Sequence, residues 1–235
     1  MQVQEVSNRF NLDRIVPFFQ PIMDIEHNSV WRYECLARLI IPEQNAFTPN
    51  EFLYLIEHHG ASHQLTETIF NRSAEYFRNQ NMAWNINLGH SDTSNTKLVS
   101  WLLNHLQEYP NASRVGFELA AEQVLQNPAL AEAFCQRCEQ VKVKLLVDHF
   151  DQADWPKVAA FPSHISAIKL NTKQICQQIE KGQSELLASC LEHCKSNNID
   201  VIAERVEQIE QFEHLQSLGI QLAQGFYLSK PAKRV

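Results

Sequence analysis

Seven short apolar or aromatic runs in this chain carry, at or near their ends, a side chain that can bind a cation or handle a proton. Glu34 lies in Trp-Arg-Tyr-Glu-Cys-Leu, and Asn87 closes Trp-Asn-Ile-Asn. Glu118 closes Val-Gly-Phe-Glu, Asp148 closes Leu-Leu-Val-Asp, and Lys169 lies in Ala-Ile-Lys-Leu-Asn. Glu204 closes Val-Ile-Ala-Glu, and Gln224 sits just before Gly225. The oxygen donors of Glu34, Asn87, Glu118 and Asp148 suit hard divalent cations such as Mg²⁺ or Mn²⁺. Two such ions ~3.5–4 Å apart can clamp a phosphodiester and activate a water for in-line attack. A nearby lysine can position that water or offset developing negative charge. These types point to metal-assisted phosphoryl chemistry. The competing reading is a ring of ion pairs that closes a barrel mouth.

The elements that must position these residues follow from the pattern of apolar runs. Residues 17–25 and 29–41 are apolar and aromatic, with Glu26-His27-Asn28 as a turn between two strands. Thr48-Pro49-Asn50-Glu51 has the spacing of a capping box with proline at the first helical position, so a helix is expected through His59 and should end at Gly60. A second helix is expected over 62–78, a strand over 84–88, a helix over 92–108 and a strand over 114–119. Residues 120–140 read as a helix interrupted at Asn127-Pro128, and 144–150 as a strand buried on both faces. Around 155–161 lies a shorter segment, then a strand at 167–170, a helix-rich stretch over 172–196, a strand at 200–203, a helix over 206–218 and a last strand at 221–224. Eight strands separated mostly by helices give a closed α/β barrel or an open doubly wound sheet. Polar residues gathered at the C-terminal strand ends favour the barrel, because those ends converge on one mouth.

Composition narrows the function classes. The chain is 44% hydrophobic and 20% charged, with a net charge of −7. An acidic chain without clustered Lys and Arg is not expected to bind DNA or RNA. No apolar run approaches the ~20 residues of a membrane span, so no membrane partner is expected. The stretch 1–14 is polar and mixed in charge, unlike a secretory signal, which makes the expected location cytoplasmic. Cys135/Cys138 and Cys190/Cys194 have spacings that can bind zinc, yet they stand in helical sequence without knuckle glycines. They read, with Cys35 and Cys176, as reduced and mostly helix-packed thiols. The histidines other than His149, among them His58-His59 and His90, read as surface or packing residues.

The ordered motifs resemble those of EAL domains, the barrel-fold phosphodiesterases of bacterial cyclic di-GMP signalling. Phe19-Gln20-Pro21-Ile22 and Glu34-Cys35-Leu36-Ala37-Arg38 resemble the family's opening, whose Glu-Ala-Leu tripeptide reads Glu-Cys-Leu here. Asn87-Leu88-Gly89 is similar to its Asn-Leu-Ser, and Phe117-Glu118-Leu119 to its Leu-Glu-Leu/Ile. Ala203-Glu204-Arg205-Val206-Glu207 and Gln224-Gly225-Phe226-Tyr227-Leu228-Ser229-Lys230-Pro231 resemble the closing motifs. The resemblance covers nearly the whole chain and implies one EAL domain over 1–235, with a lead-in at 1–14 and a tail at 232–235. It implies a TIM-like (β/α)8 barrel whose first strand is antiparallel to the rest. By the same resemblance Glu34, Asn87, Glu118, Asp148 and position 149 would hold up to two Mg²⁺ or Mn²⁺ ions, with Asp148 shared. Lys169 would hold the catalytic water, Glu204 would serve the second metal or the water, and Glu207 would support them. Gln20, Arg38 and Gln224 would contact or support cyclic di-GMP, Arg38 at a phosphate, where a guanidinium fork fits well. A homodimer and a regulatory protein partner are the other contacts the family implies.

Four departures change the expected activity. Asp148-His149-Phe150-Asp151-Gln152-Ala153 stands where the family has Asp-Asp-Phe-Gly-Thr/Ala-Gly. A ligand of the second metal is thus His149, which favours softer transition metals, or else turns away to a backbone carbonyl. Without the two glycines the loop is expected to take another path. Ala120-Ala121 replaces a Thr-Glu pair whose glutamate anchors that loop, and Glu122 is out of register to substitute. Asn171 replaces an aspartate and Arg205 a glycine. The expectation is a degenerate EAL protein, a cyclic di-GMP receptor or protein-binding regulator with weak or no hydrolysis and up to two ions or none. The alternative is an active phosphodiesterase that forms pGpG.

Overall fold

A computed structural model of the chain describes residues 11–42 and 46–235. Eight strands close into one barrel in sequence order. They are β1 (Ile15–Asp24), β2 (Ser29–Leu39), β3 (Trp84–Leu88), β4 (Val115–Ala120), β5 (Lys144–Asp148), β6 (Ile165–Asn171), β7 (Asp200–Glu204) and β8 (Leu222–Ala223). β1 is antiparallel to both β2 and β8, and every other neighbouring pair is parallel. This is the closed barrel expected from the sequence, with its reversed first strand; an open sheet is excluded.

Local chemistry explains the reversed strand. The turn between β1 and β2 places Asn28 at φ 47, a conformation asparagine tolerates. Asp24 Oδ1 accepts the N–H groups of Glu26 and His27 at 3.1 and 3.0 Å, which fixes the turn. Pro17 and Pro21 alternate with Phe19 and face the same side, where the N–H of Phe19 bonds Ala232 O at 2.7 Å. Among the described residues, pairing on that side is otherwise limited to Met23 and Asp24 against β8 and the Ile25 N–H to Gln221 O at 2.8 Å, so the two prolines remove no ladder bond. The bridge to Ala232 also ties down the tail. Of the lead-in, residues 1–10 lie outside the described residues, and Leu12–Arg14 forms a 3₁₀ turn capped by Asn11.

Nine α-helices cover the barrel among the described residues: α1 (Pro49–His58), α2 (Ser62–Phe77), α3 (His90–Ser94), α4 (Thr96–Gln107), α5 (Ala121–Gln126), α6 (Pro128–Gln140), α7 (Thr172–Glu180), α8 (Glu185–Ser196) and α9 (Ile209–Ser217). Thr48 N and Oγ1 both donate to Glu51 Oε2 at 2.7 Å, the capping box expected before α1, and Gly60 leaves the helix at φ 61. The helix expected over 92–108 is instead two. Asn95 caps α4 with its side chain, accepting from the N–H groups of Lys97 and Leu98, so it begins a helix rather than continuing one. The stretch 172–196 is likewise divided, with Gly182 at φ 64 between α7 and α8. The last helix starts at Ile209, later than expected, because Val206 N donates to Gln224 O at 3.0 Å and is spent on the barrel rim.

The larger core lies between strands and helices and includes Trp84, Phe117, Phe134 and Trp155. All six cysteines are free and buried, as read from the sequence. No described helix is long and apolar enough to cross a membrane.

Candidate functional site at the barrel mouth

Side chains alternate along a strand, so residues two apart share the barrel interior. The interior therefore fills in layers. The register pairs Gln20 with Glu34 and Asn87 with Glu118. These four, with Asp148, Lys169, Glu204 and Gln224, form a polar layer at the C-terminal mouth. Two residues deeper into the barrel on each strand stand Ile22, Arg32, Asn85, Gly116, Leu146, Ala167, Ile202 and Leu222. Five of those eight make a separate apolar cluster: Ile22, Leu146, Ala167, Ile202 and Leu222. The polar layer thus stands on a mostly apolar floor, which raises the strength of its electrostatics.

Lys169 is the centre of the layer. Its side chain is 1% exposed, and Nζ donates to Glu34 Oε2 at 2.8 Å and Glu118 Oε2 at 2.6 Å. Glu34 also accepts from Asn87 Nδ2 on Oε1 and from Gln224 Nε2 on Oε2, both at 2.8 Å. Glu118 accepts from Asn85 Nδ2 on Oε1 at 2.8 Å. Burial works against the Lys169 ammonium, but Glu118 and Glu34 outweigh it and hold Lys169 well above its usual value. Burial and the Glu34 charge push Glu118 up to about 8, with Lys169 opposing. A buried carboxylate facing another carboxylate resists ionisation, and the shared ammonium is what makes the pair tolerable.

Oxygens of Glu34, Glu118 and Asp148 lie within 4.8 Å of one another, and so do ligand atoms of Asp148, His149 and Glu204. The first set, with the Asn87 amide bonded to Glu34, contains only hard oxygen donors and fits Mg²⁺ or Mn²⁺. The second includes an imidazole and fits a softer ion better. Its acids are each paired to the next residue in the chain. Asp148 Oδ1 accepts the His149 N–H at 2.7 Å, with His149 Nδ1 3.2 Å away. Arg205 Nε lies 3.8 Å from Glu204 Oε1. Burial would raise Asp148, but Lys169 and His149 hold it below the usual carboxylate range. The Asp148 bond lifts His149 to about 9 against the cost of burial. Burial and Asp148 raise Glu204. His149 thus turns to its own aspartate, and among the described residues no backbone carbonyl accepts from its ring.

Both basic neighbours adopt left-handed backbone, His149 at φ 54 and Arg205 at φ 60. For side chains other than glycine, asparagine and aspartate this conformation carries strain of order 1 kcal/mol. The two replaced loop glycines need no such conformation here. Asp151 is extended at φ −77 and opens the 3₁₀ segment Gln152–Ala160, which contains Ala153. That loop has its own anchor. Gln174 of α7 donates from Nε2 to Asp151 Oδ1 and accepts the Gln152 N–H on Oε1, both at 2.8 Å. Trp155 Nε1 donates to Phe150 O at 3.1 Å beneath it. Gln174 was not singled out in the sequence, since its place opposite the loop depends on how α7 packs. Glu122 is exposed and accepts only from Gln126 among the described hydrogen bonds, as its register foretold.

The remaining candidates spread around the mouth. Gln20 is buried and donates to Ser229 O at 3.1 Å, so its amide holds the C-terminal segment. Arg38 shares the inner face of β2 with Glu34, four residues on, and stacks 5.9 Å from the Phe18 ring. Asn171 caps α7 through the Lys173 N–H. Glu207 is not brought into either cluster: it is exposed beyond Val206, and its N–H bonds Gln211. A cavity of about 640 Å³ opens beside Glu34, Asn87, Asp148 and His149 and runs under α1 and α2 past Leu36, Leu53 and Ile69. His90 and Asp92 line it too. Asp92 Oδ2 accepts from Thr66 Oγ1 at 2.9 Å and the Gly89 N–H at 3.0 Å, joining α2 to the end of β3. Neither residue was legible as part of the site, because both follow the strand in an unremarkable polar run.

The chain as a whole matches known proteins in sequence and fold. The family model described as the EAL domain matches residues 3–231. The chain is 25% identical over 240 residues to the probable cyclic di-GMP phosphodiesterase PdeG of Escherichia coli, covering 97% of this chain and 47% of that protein. It is 24% identical over 225 residues to the cyclic di-GMP phosphodiesterase RocR of Pseudomonas aeruginosa, covering 91% of this chain and 56% of that protein. The chain therefore spans about half or less of the length of the first curated relatives it matches. Among solved structures, the PaMucR phosphodiesterase in complex with c-di-GMP superposes with a TM-score of 0.83 at 19% identity, over 99% of this chain and 98% of that one. The FimX EAL domain of Pseudomonas aeruginosa bound to c-di-GMP gives 0.81 at 19% identity, over 99% and 95%. With the family model matched along nearly its whole length, this chain belongs to the EAL domain family.

Proposed function

We propose that this protein binds cyclic di-GMP across the barrel mouth and hydrolyses it weakly or not at all, acting as a receptor or as a regulator of a protein partner. One observation carries the reading: each acid available to a second ion, Asp148 and Glu204, is paired to its own basic neighbour, His149 and Arg205. Two positive groups at that position compete with a divalent cation, and the imidazole disfavours Mg²⁺. The relatives named as cyclic di-GMP phosphodiesterases and the two structures holding that dinucleotide support the choice of ligand.

The first position keeps its donors, so Glu34, Asn87, Glu118 and Asp148 would hold one Mg²⁺ or Mn²⁺. A divalent ion there would supply Lewis acidity toward a phosphoryl oxygen. Arg38 would meet a phosphate with its guanidinium, and Gln20 and Gln224 would keep the rim and Glu34 in place. The apolar side of the cavity would receive a base. A homodimer formed near the mouth belongs to the same proposal.

The intact Lys169 cluster favours a second reading, an active phosphodiesterase that forms pGpG. Lys169 has three N–H donors, and Glu34 and Glu118 take two of them, leaving one for a water. Glu204 would then take up a proton, while Glu207, exposed beyond Val206, stands apart from that step. Calorimetry with cyclic di-GMP, with and without Mn²⁺ or Mg²⁺, alongside chromatography of the nucleotide separates the readings. The expected outcome is binding with no linear dinucleotide. Turnover that disappears in Glu34→Ala would establish the phosphodiesterase instead. No binding under any condition would leave only the protein-partner role.

A further inference from the structure

The floor beneath the polar layer has one polar breach. Where the other strands place Ile22, Leu146, Ala167, Ile202 and Leu222, β2, β3 and β4 place Arg32, Asn85 and Gly116. Arg32 is 5% exposed and Asn85 fully buried. Arg32 Nη1 donates to Asn85 Oδ1, and Asn85 Nδ2 donates upward to Glu118 Oε1 at 2.8 Å. Asn85 and Gly116 are register partners on neighbouring strands. A Cβ at Gly116 would overlap Asn85 Oδ1 and would stand 2.6 Å from Arg32 Nη1 and 2.9 Å from Leu146 Cδ1. The missing side chain of Gly116 is thus the space that the Arg32–Asn85 pair fills. Among the described residues Arg32 Nε has no hydrogen-bond partner, a cost that a mere space-filling residue would not carry.

From this we infer that Arg32 and Asn85, seated by Gly116, are positioning residues that fix the Glu118 carboxylate from below. The logic lies in donor and acceptor types. A guanidinium only donates, so Asn85 must turn its carbonyl oxygen down toward Arg32 and its NH₂ up. The raised NH₂ can only donate, so Glu118 must present an acceptor oxygen to it. Lys169 claims the other Glu118 oxygen. With both oxygens held, the carboxylate has one rotamer before any ligand arrives. Preorganisation of this kind, one step removed from the ligand, typically changes metal affinity by about 10–100-fold. The inference rests on the proposed reading in one respect, that Glu118 is a metal ligand.

The test titrates Mn²⁺ alone into the full chain by calorimetry, for wild type, Arg32→Met, Asn85→Ala and the double variant. Each single change is expected to weaken Mn²⁺ binding by about 10-fold or more. The double variant should bind no more weakly than the worse single one, because both break the same strut. Gly116→Ala removes no polar group but crowds the pair, and should weaken binding in the same sense even if Arg32→Met does not fold. Unchanged Mn²⁺ affinity in folded Arg32→Met and Gly116→Ala, or losses that simply add, would overturn the inference and make the pair filler. If wild type binds no Mn²⁺, the metal reading of the site fails, and the strut is read from side-chain amide NMR of the metal-free protein. Glu118→Gln should then shift the Asn85 NH₂ resonances in wild type but not in Arg32→Met; no shift in wild type would sink the strut as well.

Discussion

At the scale of single residues, Lys169 decides the character of the site. It pairs with both Glu34 and Glu118 and offsets their charge, and its side chain is almost fully enclosed. Removing one partner of a buried ion pair leaves an uncompensated charge and typically costs about 3–5 kcal/mol. Lys169→Met, which keeps the stem and deletes the charge, is therefore expected to lose about that much stability in chelator, read by urea unfolding. A loss below about 1 kcal/mol would mean that the carboxylates find water or protonate at little cost. The sequence showed Lys169 as a cation in an apolar strand, but not that it would bond two acids from strands far away in the chain.

At the scale of elements, the junction between β7 and β8 sets the shape of the rim. Val206 N donates to Gln224 O, and Tyr227 N donates to Val206 O at 3.0 Å, so the two segments cross in contact. Gly225 makes this possible, since a Cβ there would overlap the Val206 backbone. Gly225→Ala should therefore cost about 1–3 kcal/mol or more, as overpacking does, and should disturb Gln224 and its bond to Glu34. Arg205, one residue before Val206, predicts the opposite sign. Its φ of 60 favours glycine, so Arg205→Gly should leave stability unchanged or raise it by up to about 1 kcal/mol. Thermal unfolding of the two variants side by side checks both signs. The motif Gln224-Gly225 was legible in the sequence; the reason for its glycine needed the crossing.

At the scale of the whole molecule, the barrel does not depend on metal to satisfy its interior. Glu34 and Glu118 accept from Lys169, Asn87, Asn85 and Gln224, all supplied by the chain. Chelator-treated protein should keep its circular dichroism spectrum and unfold cooperatively. An ion that binds only the folded state at about 100 times its Kd adds about 2.7 kcal/mol. For a domain of this size that corresponds to a rise in Tm of roughly 5–11 °C with Mn²⁺. Collapse of the fold in chelator would show that a cation is part of its structure.

The sequence by itself pointed to the barrel, and its resemblance to EAL domains implied the reversed first strand and the candidate site residues. The evidence for the barrel was local: apolar runs of strand length, each carrying one polar residue near its C-terminal end, and those ends converge on one mouth in a closed barrel. Asn95, where one expected helix became two, was missed because one capping residue can outweigh a continuing apolar pattern. Only the tertiary structure decided which donor meets which acid. The bonds from Lys169 to Glu34 and Glu118 and from Gln174 to the Asp151 loop join residues distant in the chain, so their geometry depends on packing. The same holds for Arg32, Asn85 and Gly116, whose two-residue offset from the site was present in the sequence but acquired meaning only when three strands came into register.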